Sequence, residues 1–373
     1  MLLSPFMPLA KGMIIQMKYF NYFNQEEKKL FYKLPKYFDK TYDMNILKYA
    51  IGALLYIPAI NKDMLYKAID KKNYGVTSMA ICLEDAIGVC GEIESVDNIK
   101  KLFNHLKNKE KTKEELPLIF IRFRNPEQMV RFSDVLEENL DLLTGIIIPK
   151  ANNEVISEFL GRIGDLKCNS LYIMPIIETT EFVNTKTKDR AFQELYKVVK
   201  ENKYRILNIR IGVTDMLGAY GLRRNKRLTI YDNMIFNEFC TNLISTISGS
   251  NCIDIPISGG VSEFYDLKNK DILDSYIKEI HLDKLNTFIG KTVIHPLQIK
   301  VVQAMHIISY EDYIDAKNII EKVNYKCTIS SSFSSERMNE VNTHLKWAKK
   351  VMVLAEIYGI FNEGKSANEL FGF

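Results

Sequence analysis

Apolar positions along the chain fall into two alternating patterns. Short unbroken runs recur at ALLYIPA (53–59), SMAICLED (78–85), PLIFIRFRN (117–125), GIIIPK (145–150), SLYIMPIIETT (170–180), RILNIRIGVTD (205–215), IDIPISGG (253–260) and GKTVIHP (290–296). Runs this short, with no polar alternate position, read as strands covered on both faces of a parallel sheet. Between them the apolar residues return every three or four positions. That spacing predicts amphipathic helices over 62–72, from the second run through Lys109, and over 129–142, 155–166, 189–202, 231–248 and 271–287. Eight strand–helix units, over a span near the ~250 residues typical of such a fold, predict a closed (β/α)8 TIM barrel. An open doubly wound sheet is the competitor, but no GxGxxG follows the first strand run.

The flanks follow other patterns. Residues 1–50 are expected to be an N-terminal extension, 51–308 the barrel, and 309–373 a C-terminal helical segment. Residues 17–50 are polar, aromatic and helix-leaning. Residues 1–16 are apolar but interrupted by Pro5, Pro8 and Lys11, and lack the basic start and cleavage site of a signal peptide. They read as a poorly ordered or start-site extension, with Met17 the more natural start. Beyond the eighth run, helices are predicted over 310–323 and 337–358, joined by a Ser-rich linker at 328–335. Leu345, Ala348, Val351, Met352 and Ala355 form a stripe on the last helix that needs cover, from the barrel or from a second subunit.

Composition narrows the function classes. Of 373 residues, 47% are hydrophobic and 26% charged, the proportions of a globular protein with a sizeable core. A net charge of +4, from 50 basic and 46 acidic residues, gives no case for a nucleic-acid partner, and there is no basic stripe interleaved with aromatics. No run approaches a membrane span. The six cysteines form no CxxC pair, so neither zinc nor a disulfide framework is expected, and a reduced cytoplasmic protein is.

Chemistry is expected where barrel strands end. The carboxyl ends of the runs carry Glu84 and Asp85, Arg122 and Arg124, Lys150, Glu178, Asp215, the Gly259–Gly260 pair and His295. Glu178 and Asp215 end adjacent runs, and two such acids supply half of an octahedral oxygen site for Mg²⁺. Arg122 and Arg124 fall on one strand face by period two, so either could hold a carboxylate. Lys150 reads as a rim ion pair rather than a Schiff base, and His295 as structural. Gly259 and Gly260 permit close approach of a ligand to backbone. The cluster Arg223, Arg224, Lys226 and Arg227 is either a solvated loop or a phosphate grip.

Taken in order, YIPA, CLEDAIG, IRFRNP, IIIPK, PIIET, IGVTD and GKTVIHPLQI resemble the citrate lyase beta-chain/HpcH–HpaI aldolase family across residues 53–325. The strings GVTSMAICLEDAIG, GLRRNKRLTIYD and RMNEVNTHLKWAKK are similar to its branch of citrate-lyase-like proteins from tellurium-resistance and stress clusters. The resemblance implies Mg²⁺-dependent making or breaking of a carbon–carbon bond beside a carboxylated carbonyl, through an enolate. It implies Glu178 and Asp215 as metal ligands, Arg122 on the substrate carboxylate, and Glu84 and Asp85 orienting water or relaying a proton. A homo-oligomer is also implied. Where relatives carry Arg before the first strand and Gly at its end, this chain has Gly52–Ala53 and Ala59, which argues against an acyl-CoA substrate. A small keto or hydroxy acid, with or without a phosphate, is the expected substrate. A condensing enzyme or thioesterase at the same site, or a non-catalytic metal-binding assembly subunit, are the alternatives.

Overall fold

The computed structural model describes residues 18–371 except 70–74, 85–86, 89–90, 109–115, 250–252 and 325–327. The expectations for residues 1–16, for Asp85 and for the predicted helix ends at 70–72 and Lys109 lie outside the described residues.

Seven parallel strands form the wall: Ala53–Pro58, Ser78–Cys82, Leu118–Arg122, Leu143–Ile148, Tyr172–Ile177, Arg210–Ile211 and Lys291–Val293. Each pairs with the next in chain order up to Arg210–Ile211, and the first pairs with the last. The remaining gap is closed by the run at 253–260. Ile257 bridges to Ile209 and Gly259 to Lys291, both in parallel. Five backbone bonds of 2.8–3.2 Å carry that seam: Ile209 N–H to Pro256 O, Ser258 N–H to Ile209 O, Gly259 N–H to Gly290 O, Ile289 N–H to Ile257 O and Thr292 N–H to Gly259 O. The seventh stave is therefore two bridges rather than a ladder. Pro256 has no N–H to give, and the glycines beyond it add no side-chain packing. The eight-stave TIM barrel expected from the runs is the fold.

Alternate residues of each strand enter different cores, as period two requires. Leu55, Ile57, Met79, Ile81, Ile119, Ile121, Ile173, Ile177 and Ile209 pack outward against the helices. Leu54, Ala80, Phe120, Ile147, Met174 and Ile176 fill the lumen. The lower lumen is plugged by the extension, whose Tyr19, Phe20, Phe38 and Tyr49 join the same cluster as Tyr358. The Tyr19 and Tyr358 rings lie 4.6 Å apart, and the Tyr358 hydroxyl donates to Tyr49 O at 3.1 Å. Strand Phe31–Lys33 pairs antiparallel with Ile360–Phe361, joining the two flanks beneath the barrel.

Four boundaries differ from the sequence reading. Residues 18–50 hold only two four-residue helices, Gln25–Lys28 and Met44–Leu47, because their aromatic residues are spent on the plug rather than on a helix face. The predicted helix over 129–142 is two short ones, Pro126–Arg131 and Ser133–Glu138. Asp215 does not end a strand: a helix, Val213–Gly218, begins two residues before it. The Ser-rich linker is a hairpin, Ile329–Ser331 against Met338–Glu340, so the last helix runs Val341–Tyr358.

The thin seventh stave is fastened by buried charge. Lys291 Nζ lies 2.9 Å from Glu279 Oε1 and 2.8 Å from Asp283 Oδ2, Glu279 also pairs with Arg224, and the Tyr231 hydroxyl donates to Asp283 at 2.7 Å. Two cations balance two acids. A side chain at Gly259 would occupy the place of the Asp283 carboxylate. Removing one partner of a buried ion pair strands the others. Lys291→Met should therefore cost about 3–5 kcal/mol in urea unfolding, and a loss under about 1 kcal/mol would show the network to be dispensable.

Candidate active site

Glu178 follows the strand Tyr172–Ile177 directly and, by parity with Ile176, faces the lumen at its carboxyl end. It is 4% exposed. Its Oε1 accepts the Lys150 backbone N–H at 2.7 Å, where the chain turns with φ 48°, and lies 3.5 Å from Arg122 Nη2. Arg122 also pairs with Glu84, whose Oε1 sits 3.2 Å from Lys150 Nζ. Glu84 is thus the buried pivot joining an arginine and a lysine at the rim.

Glycine 212 explains why the sixth run turns where it does. A Cβ there would collide with the Glu178 side chain, so the carboxylate rests on bare backbone. The next residues coil into the short helix and bring Asp215 to the same cavity. That cavity, about 270 Å³, is bounded by Tyr56, Arg122, Glu178, Arg210, Asp215 and Thr292 among others. A larger cavity of about 370 Å³ lies beneath the C-terminal helices, between Lys284, Trp347 and Lys350, far from the strand ends that carry the acids.

Burial pushes the Glu178 carboxyl up to about 7, with Asp215 and Glu84 adding to the rise while Arg122 and the Lys150 N–H oppose it. Burial also works against the Arg122 charge, but the Tyr56 hydroxyl, Glu84 and Glu178 outweigh it and keep the guanidinium protonated. The Arg122 guanidinium lies 5.8 Å from the Tyr56 ring centroid. Among the described residues no three His, Cys, Asp or Glu side chains gather as a ready-made ligand cluster. Glu178 and Asp215 line the cavity as a pair. Two hard oxygen donors, Glu178 buried and Asp215 exposed at the mouth, fit a cation such as Mg²⁺ that keeps several waters and takes the rest of its ligands from substrate.

The other residues singled out by sequence go elsewhere. Arg124 lies past the strand's last residue, Arg122, so the shared face does not exist. Its Nη2 holds the Ile87 carbonyl at 2.8 Å. Arg224 is committed to Glu279 and the Val261 carbonyl, and the Arg223 side chain is 90% exposed beside Glu263. Neither lines the cavity, and Arg227 pairs with Asp271. Gly259 makes room for Asp283 and Gly260 for Val213, so both serve packing rather than ligand approach. His295 caps the helix Pro296–Ala304, accepting the Leu297 N–H on Nδ1, and stacks on Tyr265.

Sequence reasoning missed three lumen residues: Tyr56, Arg210 and Thr292. Arg210 had a signal. It interrupts the apolar run RILNIRIG, where both faces of a strand are buried and a charge has no ordinary place.

The structure is similar to that of CitE from Mycobacterium tuberculosis in complex with magnesium, acetoacetate and coenzyme A, with a TM-score of 0.55 and 13% identity over 83% of this chain and 99% of that one. It also matches the citrate lyase beta subunit of the same organism complexed with oxaloacetate and magnesium (TM-score 0.47, 14% identity, 69% and 96% coverage). RipC from Yersinia pestis is similar too (TM-score 0.46, 15% identity, 68% and 94% coverage). At these identities the likeness is one of fold. No curated protein sequence matches the chain. The family model of C–C bond lyases of the TIM-barrel fold matches residues 45–360, which span every stave and the residues that line the cavity. This chain belongs to that family, the carbon–carbon bond lyases built on a TIM barrel.

Proposed function

We propose that this lyase is Mg²⁺-dependent and cleaves a bond next to the carbonyl of a small keto or hydroxy carboxylic acid. One observation carries the reading: Glu178, Asp215 and Arg122 meet on the wall of a single small cavity at the strands' carboxyl ends. The magnesium and acetoacetate held by the structurally similar CitE support it. The cavity of about 270 Å³ takes the reacting acid, while a carrier such as the coenzyme A also held there would extend out of its open mouth.

Glu178 and Asp215 would hold the cation. When bound, it supplies a Lewis acid for a carbonyl oxygen, a role worth several kcal/mol in such reactions. Arg122 offers a planar fork that matches a carboxylate, or opposes the negative charge that gathers on oxygen as the bond breaks. Glu84 fixes the direction of that fork by its ion pair. The Lys150 N–H aims Glu178, and Gly212 leaves the space it occupies. The cavity is walled on its apolar side by Ile176 and Val213, which limits water around the developing charge.

Two outcomes are expected. Glu178 holds a proton between pH 4.5, its ordinary value, and about 7, where the unfolded chain has released it. Its contribution to stability is therefore lost as pH rises through that window, and a cation binding the ionised carboxylate restores it. Magnesium should raise the melting temperature at pH 8, less so towards pH 6, and not at all in Glu178→Gln or Asp215→Asn. A wild type indifferent to Mg²⁺ at pH 8 contradicts the proposal. Separately, Gly212→Ala should displace Glu178 and weaken Mg²⁺ binding at least tenfold by calorimetry, a cost of about 1.4 kcal/mol. Unchanged affinity would mean that the contact is not needed.

A further inference from the structure

Beneath the barrel, away from the strands' carboxyl ends, the cavity of about 370 Å³ is larger than the candidate active site. Three segments enclose it: the turn after the helix Lys270–Leu285, the chain that leaves the helix Pro296–Ala304, and one face of the last helix, Val341–Tyr358. Phe288, Ile307, Trp347, Val351, Leu354 and Phe361 give it an apolar wall. Interiors are close-packed, and unfilled apolar volume of this size is costly. The size is that of an ordinary small-molecule pocket.

The charge around it is mostly of one sign. Lys284, Lys350, Lys365 and His281 line the cavity, and among the described residues Asp312 is the single acid that does. Arg337 already claims Asp312 at 2.8 Å, and Glu369 claims Lys365 at 3.6 Å. Among the described residues neither Lys284 nor Lys350 forms an ion pair, and Lys350 makes no hydrogen bond either. The Lys284 side chain is exposed, yet its ammonium bends back to donate to Met305 O at 2.6 Å. That uses one of its three protons. Asp254, the acid whose field reaches Lys350, is held at 2.8 Å by Lys48 and by the Tyr49 hydroxyl. Partial desolvation lowers both ammoniums from their ordinary range, Lys346 adding to the fall at Lys350 and Asp312 opposing it at Lys284. His306 brings no charge: burial pushes it down to about 3, and its Nε2 accepts the Gly290 N–H at 3.0 Å. Two cations thus stand at an apolar cavity without an anion of their own, where a ligand can supply one.

We propose that this cavity is a second binding site, for a monocarboxylate with an apolar body, its head on Lys284 and Lys350 and its chain or ring along Phe288, Leu354 and Phe361. Asp312 already offsets part of the Lys284 charge, so one added negative charge suits the pair. A phosphate dianion would bring a hydration shell that the apolar wall cannot replace. The two ammoniums give charge-assisted hydrogen bonds to a carboxylate, and the wall rewards every methylene or ring carbon that leaves water. No residue lines both this cavity and the candidate active site, so the proposal stands apart from the function proposed above.

Trp347 is the only tryptophan of the chain and lines the cavity, so its fluorescence reports on the site directly. In titrations of the whole protein, octanoate should shift that emission saturably, below the concentrations at which it self-associates. Octanamide lacks the charged head and acetate lacks the apolar body. Each should bind at least tenfold more weakly than octanoate, the size expected for losing a charge-assisted contact or the burial of a chain. Lys350→Met should weaken octanoate by the same factor and leave octanamide unchanged. Binding should need no Mg²⁺ and should survive Glu178→Gln. No saturable response to octanoate, equal binding of octanamide, or a Lys350→Met protein that binds octanoate as the wild type does would each overturn the site. So would a response lost in Glu178→Gln, which would move the carboxylate to the barrel mouth, or inorganic phosphate displacing octanoate at lower concentration. Should Lys350→Met fail to fold, the comparison of octanoate with octanamide decides the matter on the wild-type protein.

Discussion

The mouth of this barrel depends on a carboxylate that has been taken out of water. Glu178 is nearly inaccessible, yet it faces one arginine, one backbone N–H and two further acids. Desolvation alone favours its neutral form, and the neighbouring acids push the same way. Such a group is stable as an anion only when more positive charge arrives. In the function proposed above that charge is a cation, and the surrounding geometry leaves the carboxylate able to meet one. Gly212 denies it competing side-chain contact, Lys150 bends to present its amide, and Glu84 occupies Arg122 so that the arginine cannot neutralise Glu178 fully.

Positioning comes from the barrel, and the barrel is uneven. Five consecutive staves share extended ladders, while the sixth and seventh contribute little backbone pairing. The four-charge cluster behind Gly259 compensates at that seam. It is also why Arg224, which looked like a ligand grip, turns inward. A buried acid at Glu279 claims it, at the expense of anything outside.

Much of this was legible along the chain. Eight apolar runs and their spacing specified the barrel, because buried parallel strands need no alternation and therefore stand out. Glu178 was legible for the same reason: a charge closing an apolar run sits at its carboxyl end. Asp215 was placed on the right rim but in the wrong element, since nothing in IGVTD marks the point where strand yields to helix. Arg124 and the glycines misled because period two and backbone freedom describe what is allowed, and not which neighbour takes the space. Arg210 stood out as a charge inside an apolar run, but the place of Gly212 depends on Glu178, 34 positions away, and no local pattern can announce that contact.

The stitching of residues 31–33 to 360–361, and of Tyr358 to Tyr49, has a consequence for how the molecule is made. The floor of the barrel is assembled from the first and last parts of the chain, 309 positions apart at the Tyr358–Tyr49 bond. While a ribosome is still extending the polypeptide, that floor has its early half only, and the aromatic rings around Tyr19 are left partly uncovered. Closing so distant a contact carries a large loop-closure cost, so the floor can be completed only after residues 358–361 have been made.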